Sequence, residues 1–245
     1  MVGRLLLRGM LVGILAGLLA FGFARIFGEP AVDTAIAFEE QQAAAKGEMP
    51  EPELVSREVQ STIGLLTGTL VYGAAVGGFF ALVFAFAYGR MGALSARETS
   101  ALLALAGFVA VILVPFVKYP ANPPSVGDPG TIGYRTVLYF TMMAISVAAM
   151  VNAIVVARRL IPRFGRWNAV LTAGLAYVVV MSVVQLILPP VNEVPEAFSA
   201  VVLWQFRTGA LGIHVVLWTT LGLAFGAVTE RSLASRPAIG RRAYG

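Results

Sequence analysis

The amino-acid sequence predicts an all-α fold, a polytopic membrane helix bundle with six transmembrane helices. Hydrophobic residues make up 58% of the 245 residues and charged residues only 13%, whereas soluble proteins carry about 25% charged residues. The apolar residues fall into six long runs, each near the roughly 20 residues that a helix needs to cross a bilayer. Segments of alternating polarity, which would indicate a membrane β-barrel, are absent from the sequence. This composition excludes a soluble cytoplasmic enzyme.

The six predicted spans are separated by short polar or proline-rich connections. In chain order they are residues 5–27, 61–88, 100–117, 136–157, 168–188 and 208–228. The first run follows Arg4 and Arg8 as in a signal peptide, but it is longer than a signal peptide's apolar region and no small-residue cleavage motif follows it. We therefore expect a retained helix, and a single integral membrane domain over residues 1–230.

Glycines recur every four residues within the spans and predict where helices touch. Small residues at this spacing leave a strip without side chains, which allows two helix backbones to approach closely. A six-helix bundle needs such strips internally, so we favour packing within the chain over a dedicated dimer interface. The glycines are Gly9, Gly13 and Gly17, Gly64 with Gly68, Gly73 with Gly77, and Gly222 with Gly226.

The charge distribution predicts that both termini are cytoplasmic. With this orientation the inner side carries twelve cations against two acids, and the outer side five cations against eleven carboxylates. Lys and Arg accumulate on the cytoplasmic side of membrane proteins, so a multi-pass protein of the plasma (inner) membrane is expected. The pI near 9.9 and the basic tail at residues 231–245 then indicate contact with anionic lipid on the inner face, not with nucleic acid.

Three outer loops, residues 28–60, 118–135 and 189–207, close the helices into three hairpins. The first is acidic, with eight acids against two bases, and its residues 35–46 favour a short helix that ends at Gly47. This loop either concentrates cations near the membrane surface or forms a cap for a partner subunit. The sequence does not separate these two interpretations.

The last two hairpins share a short pattern. Each has prolines around an asparagine, Asn122 or Asn192, and each following helix starts with an aromatic-Arg-Thr step at residues 134–136 or 206–208. Duplication of one hairpin explains the pattern. Independent selection of anchor residues at the membrane surface explains it equally well.

The two later loops carry the candidate metal contacts. Their prolines exclude regular helix and predict rigid turns, and their amide and carboxylate oxygens suit a hydrated divalent cation. The candidates are Asn122, Asp128, Asn192 and Glu193. The alternative is structural ion pairing, which we favour because three cations, Lys118, Arg135 and Arg207, balance three carboxylates in these loops.

His214 is a candidate nitrogen ligand within the last span. It lies six residues into that helix, about 9 Å below its outer end, where an ionisable group is expected to face the bundle interior. Imidazole binds cobalt, nickel or zinc. A hydrogen bond to another helix is the more common role for such a residue, and we favour it.

Catalytic and cofactor motifs are missing from the sequence. It has no cysteine and one histidine, which excludes thiol catalysis, Cys-ligated metals and histidine clusters within this chain. It also lacks nucleotide-binding, serine-hydrolase and zinc-protease signatures. We therefore expect a protein that is not an enzyme and has no covalently bound cofactor.

Several segments resemble the CbtA family of cobalt transporter subunits. The most specific is K-Y-P-A-N-P-P at residues 118–124, accompanied by N-E-V-P-E-A-F at 192–198, L-W-Q-F-R at 203–207 and the R-L-L-L opening at 4–7. The resemblance implies cobalt uptake linked to cobalamin synthesis, with a small single-span partner, CbtB, that carries a histidine-rich segment. The positions that carry the family motif are Lys118, Tyr119, Pro120, Asn122, Pro123, Pro124, Asn192, Glu193, Pro195, Arg207 and Trp218.

Two functional hypotheses follow. In the first, the bundle carries a divalent transition metal, Co²⁺ or also Ni²⁺, inward across the membrane with its His-rich partner. In the second, the chain is a non-transporting scaffold or accessory subunit whose outer loops dock another membrane protein. A solvated cavity lined by the loop polar groups would favour the first hypothesis, and capping of these groups by ion pairs would favour the second.

Overall fold

The computed structural model describes residues 2–47, 54–124 and 126–234. All regular structure in these ranges is helical, which confirms the all-α prediction. Five of its helices are long and apolar enough to cross a membrane. They are α1 (Val2–Lys46), α2 (Arg57–Ala87), α3 (Ala96–Lys118), α4 (Pro129–Ile187) and α5 (Ala200–Ala234). Single π-helical turns interrupt α1, α2, α3 and α5 at Ala24–Gly28, Gln60–Gly64, Phe108–Leu113 and Leu221–Phe225.

Helix α1 extends well beyond the first predicted span. It continues through the first part of the predicted outer loop and ends at Gly47, whose φ of 74° and N–H bonds to the Ala43 and Ala44 carbonyls terminate it. The helix predicted over residues 35–46 is present, but as a continuation of α1. The π-helical turn ends at Gly28, two residues before Pro30, which lacks an N–H donor, and the helix continues through both.

Helix α4 contains two of the predicted spans, 136–157 and 168–188. Its α-helical part, Ile132–Ile187, is 56 residues long and leaves helical geometry at Gly165, where φ is 74° and ψ is 165°. The connection at 158–167, expected as a loop, is thus almost entirely helical. Glycine adopts positive φ without a Cβ clash, so one residue is sufficient to separate the two helical halves.

The chain divides into two compact units. Unit 1 comprises Met1–Ile26, Glu53–Leu105 and Gly212–Gly245, and unit 2 comprises Phe27–Pro52 and Ala106–Leu211.

In unit 1, glycines of α1 and α2 form an antiparallel contact without intervening side chains. A Cβ built on Gly9 would lie 2.2 Å from the Gly77 carbonyl oxygen, and one on Gly13 would lie 2.0 Å from that of Gly73. Gly17 faces the Thr69 carbonyl in the same way, at 2.3 Å. The predicted glycine strip of α1 and its partner glycines at 73 and 77 are therefore confirmed as an intramolecular contact.

The second contact of unit 1 joins α3 and α5. A Cβ on Gly222 would lie 2.7 Å from the Ala104 side chain, and one on Gly226 would lie 3.0 Å from the Arg97 Cα. The buried Ser100 hydroxyl donates to the Gly222 carbonyl at 2.8 Å. Both predicted glycines of the last span thus pack against α3. Gly68, by contrast, has no neighbour within 4 Å of its built Cβ.

In unit 2, the two halves of α4 pack against each other. Met142, Tyr177 and Met181 are buried in one apolar cluster, and the buried hydroxyls of Ser146 and Tyr177 lie 2.8 Å apart. Buried residues recur every fourth position in each half, at 138, 142 and 146 and at 169, 173, 177 and 181. This spacing gives each half one packed face.

Candidate functional site: the two proline loops

Both candidate loops are non-helical, as the prolines predict. The first proline loop comprises the described residues 119–124 and 126–128, the second comprises residues 188–199, and both belong to unit 2. At the end of the first loop the Asp128 carboxylate accepts a hydrogen bond from the Gly130 N–H at 2.8 Å and caps the turn Pro129–Thr131 that opens α4. Asp128 therefore has a structural role at a helix start.

Glu193 of the second loop is bound by three groups from the chain around the start of α4. Its Oε1 accepts from the Thr131 hydroxyl at 2.6 Å, and its Oε2 accepts from the Asp128 N–H at 3.0 Å. The Arg135 Nε lies 3.4 Å from Oε2, which is an ion pair rather than a well-formed hydrogen bond. Both carboxylate oxygens are therefore occupied by groups of the protein itself.

These contacts stabilise the charged form of the Glu193 carboxylate. The hydrogen bond from Thr131 lowers its pKa most, followed by that from the Asp128 N–H, while partial burial acts in the opposite direction and the Arg135 charge lowers the pKa further. A carboxylate with several donors is ionised at neutral pH. Glu193 consequently presents a fixed negative charge that Arg135 partly neutralises.

Arg207 holds the first proline loop in a similar way. Its Nη2 donates to the Asn122 Oδ1 at 2.9 Å and its Nε to the Ala121 carbonyl at 3.2 Å. The planar guanidinium can engage two acceptors at once, which fixes both the backbone and the amide side chain of the loop. The Asn122 amide oxygen, a candidate metal contact, is therefore a hydrogen-bond acceptor for Arg207.

The two arginines bind the loops reciprocally. Arg135 follows the first loop in the chain and binds Glu193 of the second, whereas Arg207 follows the second loop and binds Asn122 of the first. We call this set of contacts the arginine brace. It ties each loop to the helix that follows the other loop.

Two further motif residues connect α3 to the end of α4. The Lys118 ammonium donates to the Gln185 carbonyl at 2.6 Å, and the Tyr119 hydroxyl donates to the Pro189 carbonyl at 2.9 Å. Burial raises the pKa of Tyr119, with a smaller contribution from Tyr134. Tyr119 is thus a neutral hydrogen-bond donor over the whole physiological range.

The distal part of α1 packs against both proline loops. Ala35 is buried in a cluster with Val126 of the first loop and Phe198 of the second, and the Phe38 and Phe198 rings meet edge to face at 5.1 Å. The acidic segment after the first span is therefore an ordered element with an apolar face on the loops. The sequence predicted a short helix here but gave no signal for its contact with the proline loops.

His214 and Trp218 lie on α5 in unit 1, one helical turn apart. The His214 ring meets the Tyr72 ring edge to face at 6.2 Å, and the Trp218 ring meets Phe80 at 6.5 Å. In the described part of the chain, His214 Nδ1 and Trp218 Nε1 are buried without a hydrogen-bond partner. The interhelical hydrogen bond favoured for His214 is therefore not formed by Nδ1, and the contact of its ring is with Tyr72 of α2.

The remaining candidates are more open. Asn192 and Pro124 are exposed, Pro120 and Pro195 are half-buried, and Pro123 is buried. Within residues 2–47, 54–124 and 126–234, no three His, Asp or Glu side chains are grouped so that they could hold a metal ion. The oxygens of Asn122, Asp128 and Glu193 instead bind protein donors.

The predicted ion pairing of the loops is partly correct. Arg135 does pair with a loop carboxylate, whereas the expectation that Lys118 and Arg207 do so is wrong, because they bind carbonyl and amide oxygens of the loops and helix ends. Thr131 was missed as a ligand of Glu193. It is separated from Glu193 by 62 residues, and no local pattern marks it.

Comparison with known proteins gives one assignment. The family model described as probable cobalt transporter subunit (CbtA) matches residues 2–230. No curated protein and no solved structure matches the chain.

Proposed function

Because this chain belongs to the CbtA family of probable cobalt transporter subunits, we propose that it is the membrane-embedded subunit of a system that takes up Co²⁺. The match over residues 2–230 is the observation that carries this proposal. The five long apolar helices are those expected of a membrane subunit. A transporter subunit is not an enzyme, and we assign no catalytic residue.

The topology that we propose has six crossings of the plasma membrane and cytoplasmic termini. Helix α4 has 59 residues and would be roughly 90 Å long if straight, about three times the thickness of a bilayer core. Its break at Gly165 allows it to cross twice.

Contacts within each unit support an even number of crossings. In unit 1, Arg8 donates to Ser232 and Arg97 pairs with Glu230 at 3.1 Å, which groups the beginnings of α1 and α3 with the end of α5. In unit 2, the distal part of α1 packs on both proline loops. This grouping agrees with the proposed orientation, in which the first group would be cytoplasmic and the second would lie on the outer side.

The metal chemistry of the system calls for a second protein. This chain has one histidine and no cysteine, and these are the side chains that bind transition metals best. We propose that a small single-span, CbtB-like subunit with a histidine-rich segment supplies the nitrogen ligands. Anionic lipid on the cytoplasmic face is the other partner, and nucleic acid is not one.

In this chain the proline loops would act as a rigid polar surface for a hydrated cation, Co²⁺ or also Ni²⁺. A carboxylate has about four lone-pair positions, so Glu193 keeps acceptor capacity beyond its three protein contacts. Exposed Asn192 and Asp128 lie in the same two loops as Glu193 and Asn122. Contact through bound water fits such oxygen sites, and His214 would be a separate contact within α5.

The test is uptake of radioactive cobalt in cells that lack other cobalt importers. Cells would express the chain alone, the chain with its His-rich partner, or the partner with Asn122→Ala. We expect uptake to require both subunits and to fall with Asn122→Ala, at an unchanged amount of folded protein. Glu196→Gln is the matched loop control because Glu196 is exposed. No uptake in any combination, despite verified membrane expression, would refute a transport role.

A second candidate function is that of a non-transporting accessory subunit. The observation that favours it is the arginine brace, which caps Glu193 and Asn122 with Arg135 and Arg207. This hypothesis predicts stable co-purification with the small partner and no Co²⁺ binding by the isolated chain. This hypothesis would be supported if cobalt uptake requires the chain but does not fall when its loop residues are replaced.

A further inference from the structure

The connection between the two halves of α4 carries a concentrated positive charge. Four arginines occur within nine residues of one another, and all four are exposed. They are Arg158, Arg159, Arg163 and Arg166. We call residues 158–167 the basic tip.

In the described part of the chain, no carboxylate pairs with these arginines. The sequence between Asp128 and Glu193 contains no acidic residue, and among the described residues none of the four arginines forms an ion pair with Asp or Glu. Arg135, near the start of α4, differs because it pairs with the Glu193 carboxylate. The basic tip is thus a region of unbalanced positive charge, open to an anionic ligand.

Large aromatic side chains accompany these arginines. Trp167 is 74% exposed and Phe164 is 49% exposed, and the Arg163 guanidinium lies 5.3 Å from the Phe164 ring centroid. Trp side chains are enriched at membrane–water interfaces, where the apolar ring contacts lipid and the indole N–H can bind headgroups or water. Helix α4 is also the least covered of the long helices, with 17% of its most apolar stretch buried against 28–39% in the others.

We propose that the basic tip is where this chain binds the phosphate headgroups of anionic phospholipids, an inference that rests on the proposed cytoplasmic side of this connection. The guanidinium group offers a planar pair of N–H donors that matches two phosphate oxygens. The positive φ of Gly165 places a turn between Arg163 and Arg166, so the tip presents donors from two helical segments to one headgroup layer. Trp167 and Phe164 insert at the level of the headgroups and hold the tip there.

The fluorescence of Trp167 provides a direct probe. Trp204→Phe with Trp218→Phe leaves Trp167 as the only one of the three tryptophans. The full chain would be measured in mixed micelles that contain brominated phosphatidylglycerol or brominated phosphatidylcholine. We expect half-maximal quenching at a lower mole fraction of the anionic lipid. Equal quenching by the two lipids would overturn the proposal.

Charge variants separate a lipid site from general attraction. About fivefold weaker binding of the anionic lipid is expected for each arginine removed in Arg163→Gln/Arg166→Gln. The matched control is Arg4→Gln/Arg90→Gln, which removes two exposed arginines of unit 1 and should leave quenching unchanged. If both variants lose the same amount of anionic-lipid binding, the attraction is general and the proposal of a specific site is wrong.

Two further measurements close the test. Arg163→Lys/Arg166→Lys keeps the charge but not the paired donors, so it should bind anionic lipid more tightly than the glutamine variant and more weakly than the parent. Lysine variants that bind no more tightly than the glutamine variant would contradict an electrostatic site. Soluble glycerol phosphate should not compete at an equal phosphate concentration. Full competition would show a site for free phosphate and overturn assignment to the lipid surface.

Discussion

The glycine contact between α1 and α2 in unit 1 and the arginine brace of unit 2 hold chain segments together by opposite means. The first depends on missing side chains, since Gly13 and Gly73 face each other with no room for a Cβ. The second depends on specific polar side chains, since Arg135 and Arg207 each reach a residue of the other loop. One contact is buried among apolar helices, and the other lies in non-helical loops.

This difference determines how each region tolerates change. A close backbone contact cannot adjust to an added side chain, because a carbonyl oxygen cannot move without moving its helix. At a partly exposed site, a polar group that loses its protein partner can bind water instead. Removing one partner therefore lowers the free energy of unfolding by a smaller amount. We therefore expect the largest loss of stability in the glycine contact and smaller losses in the brace.

The strongest prediction concerns Gly13→Ala. Its new Cβ would lie 2.0 Å from the Gly73 carbonyl oxygen, so α1 and α2 must separate, and we expect a loss of about 3 kcal/mol or more. The measurement is the free energy of unfolding of the purified chain in micelles. Gly22→Ala is the matched control in the same helix, since no atom lies within 4 Å of its built Cβ. Equal effects of the two substitutions would refute close packing as the cause.

The glycine contact was predictable because its signal is local. A four-residue spacing marks one helix face, and Gly9, Gly13 and Gly17 show it without any knowledge of their partner. The helical end at Gly47 was predictable for the same reason, from residues close in sequence. The extent of α1 was not, because the π-helical turn at Ala24–Gly28 that carries the helix up to Pro30 has no sequence pattern of its own.

The proline loops were predictable as rigid turns, but their contacts were not. Charge balance alone suggested pairing of Lys118, Arg135 and Arg207 with acids, yet only Arg135 pairs in this way. Composition gives the number of charges and not which atoms meet, and donors such as Thr131 are brought to Glu193 only by the fold. The two contacts are not equivalent, because Arg207 binds Asn122 whereas Arg135 binds Glu193 and not the corresponding Asn192.

A smaller effect is expected for Glu193→Gln. The amide keeps one acceptor oxygen for the Thr131 hydroxyl but places an NH₂ group beside the Asp128 N–H and Arg135, which were bound by Oε2. We expect a lower unfolding midpoint, with a shift smaller than that of Gly13→Ala. Thermal unfolding in micelles measures this, with exposed Glu196→Gln as the control. If the two variants unfold together, the brace does not contribute to stability.

The pH dependence of stability tests the same carboxylate without altering its shape. The pKa of Glu193 is lowered from 4.5 in the folded chain, so its contribution is fully present above the unfolded pKa and is lost as pH falls through the folded pKa. Between pH 5 and pH 3 the parent should therefore lose more stability than Glu193→Gln, and the difference between them should narrow. Parallel curves over this range would contradict a native-state role for the ionised carboxylate.

The smallest predicted effect is the coupling between Arg207 and Asn122, and it connects stability to transport. Arg207→Lys replaces the two nitrogens that bind the Ala121 carbonyl and the Asn122 Oδ1 with a single ammonium, which weakens this paired contact. A double-mutant cycle with Asn122→Ala should give a coupling of about 1 kcal/mol. If Arg207 serves uptake by positioning Asn122, then Arg207→Lys lowers cobalt uptake in the parent but not in the Asn122→Ala background. If Arg207→Lys lowers uptake equally in both backgrounds, Arg207 acts independently of that amide. An effect on stability with unchanged uptake would instead identify the brace as structural support, which is the behaviour expected of an accessory subunit.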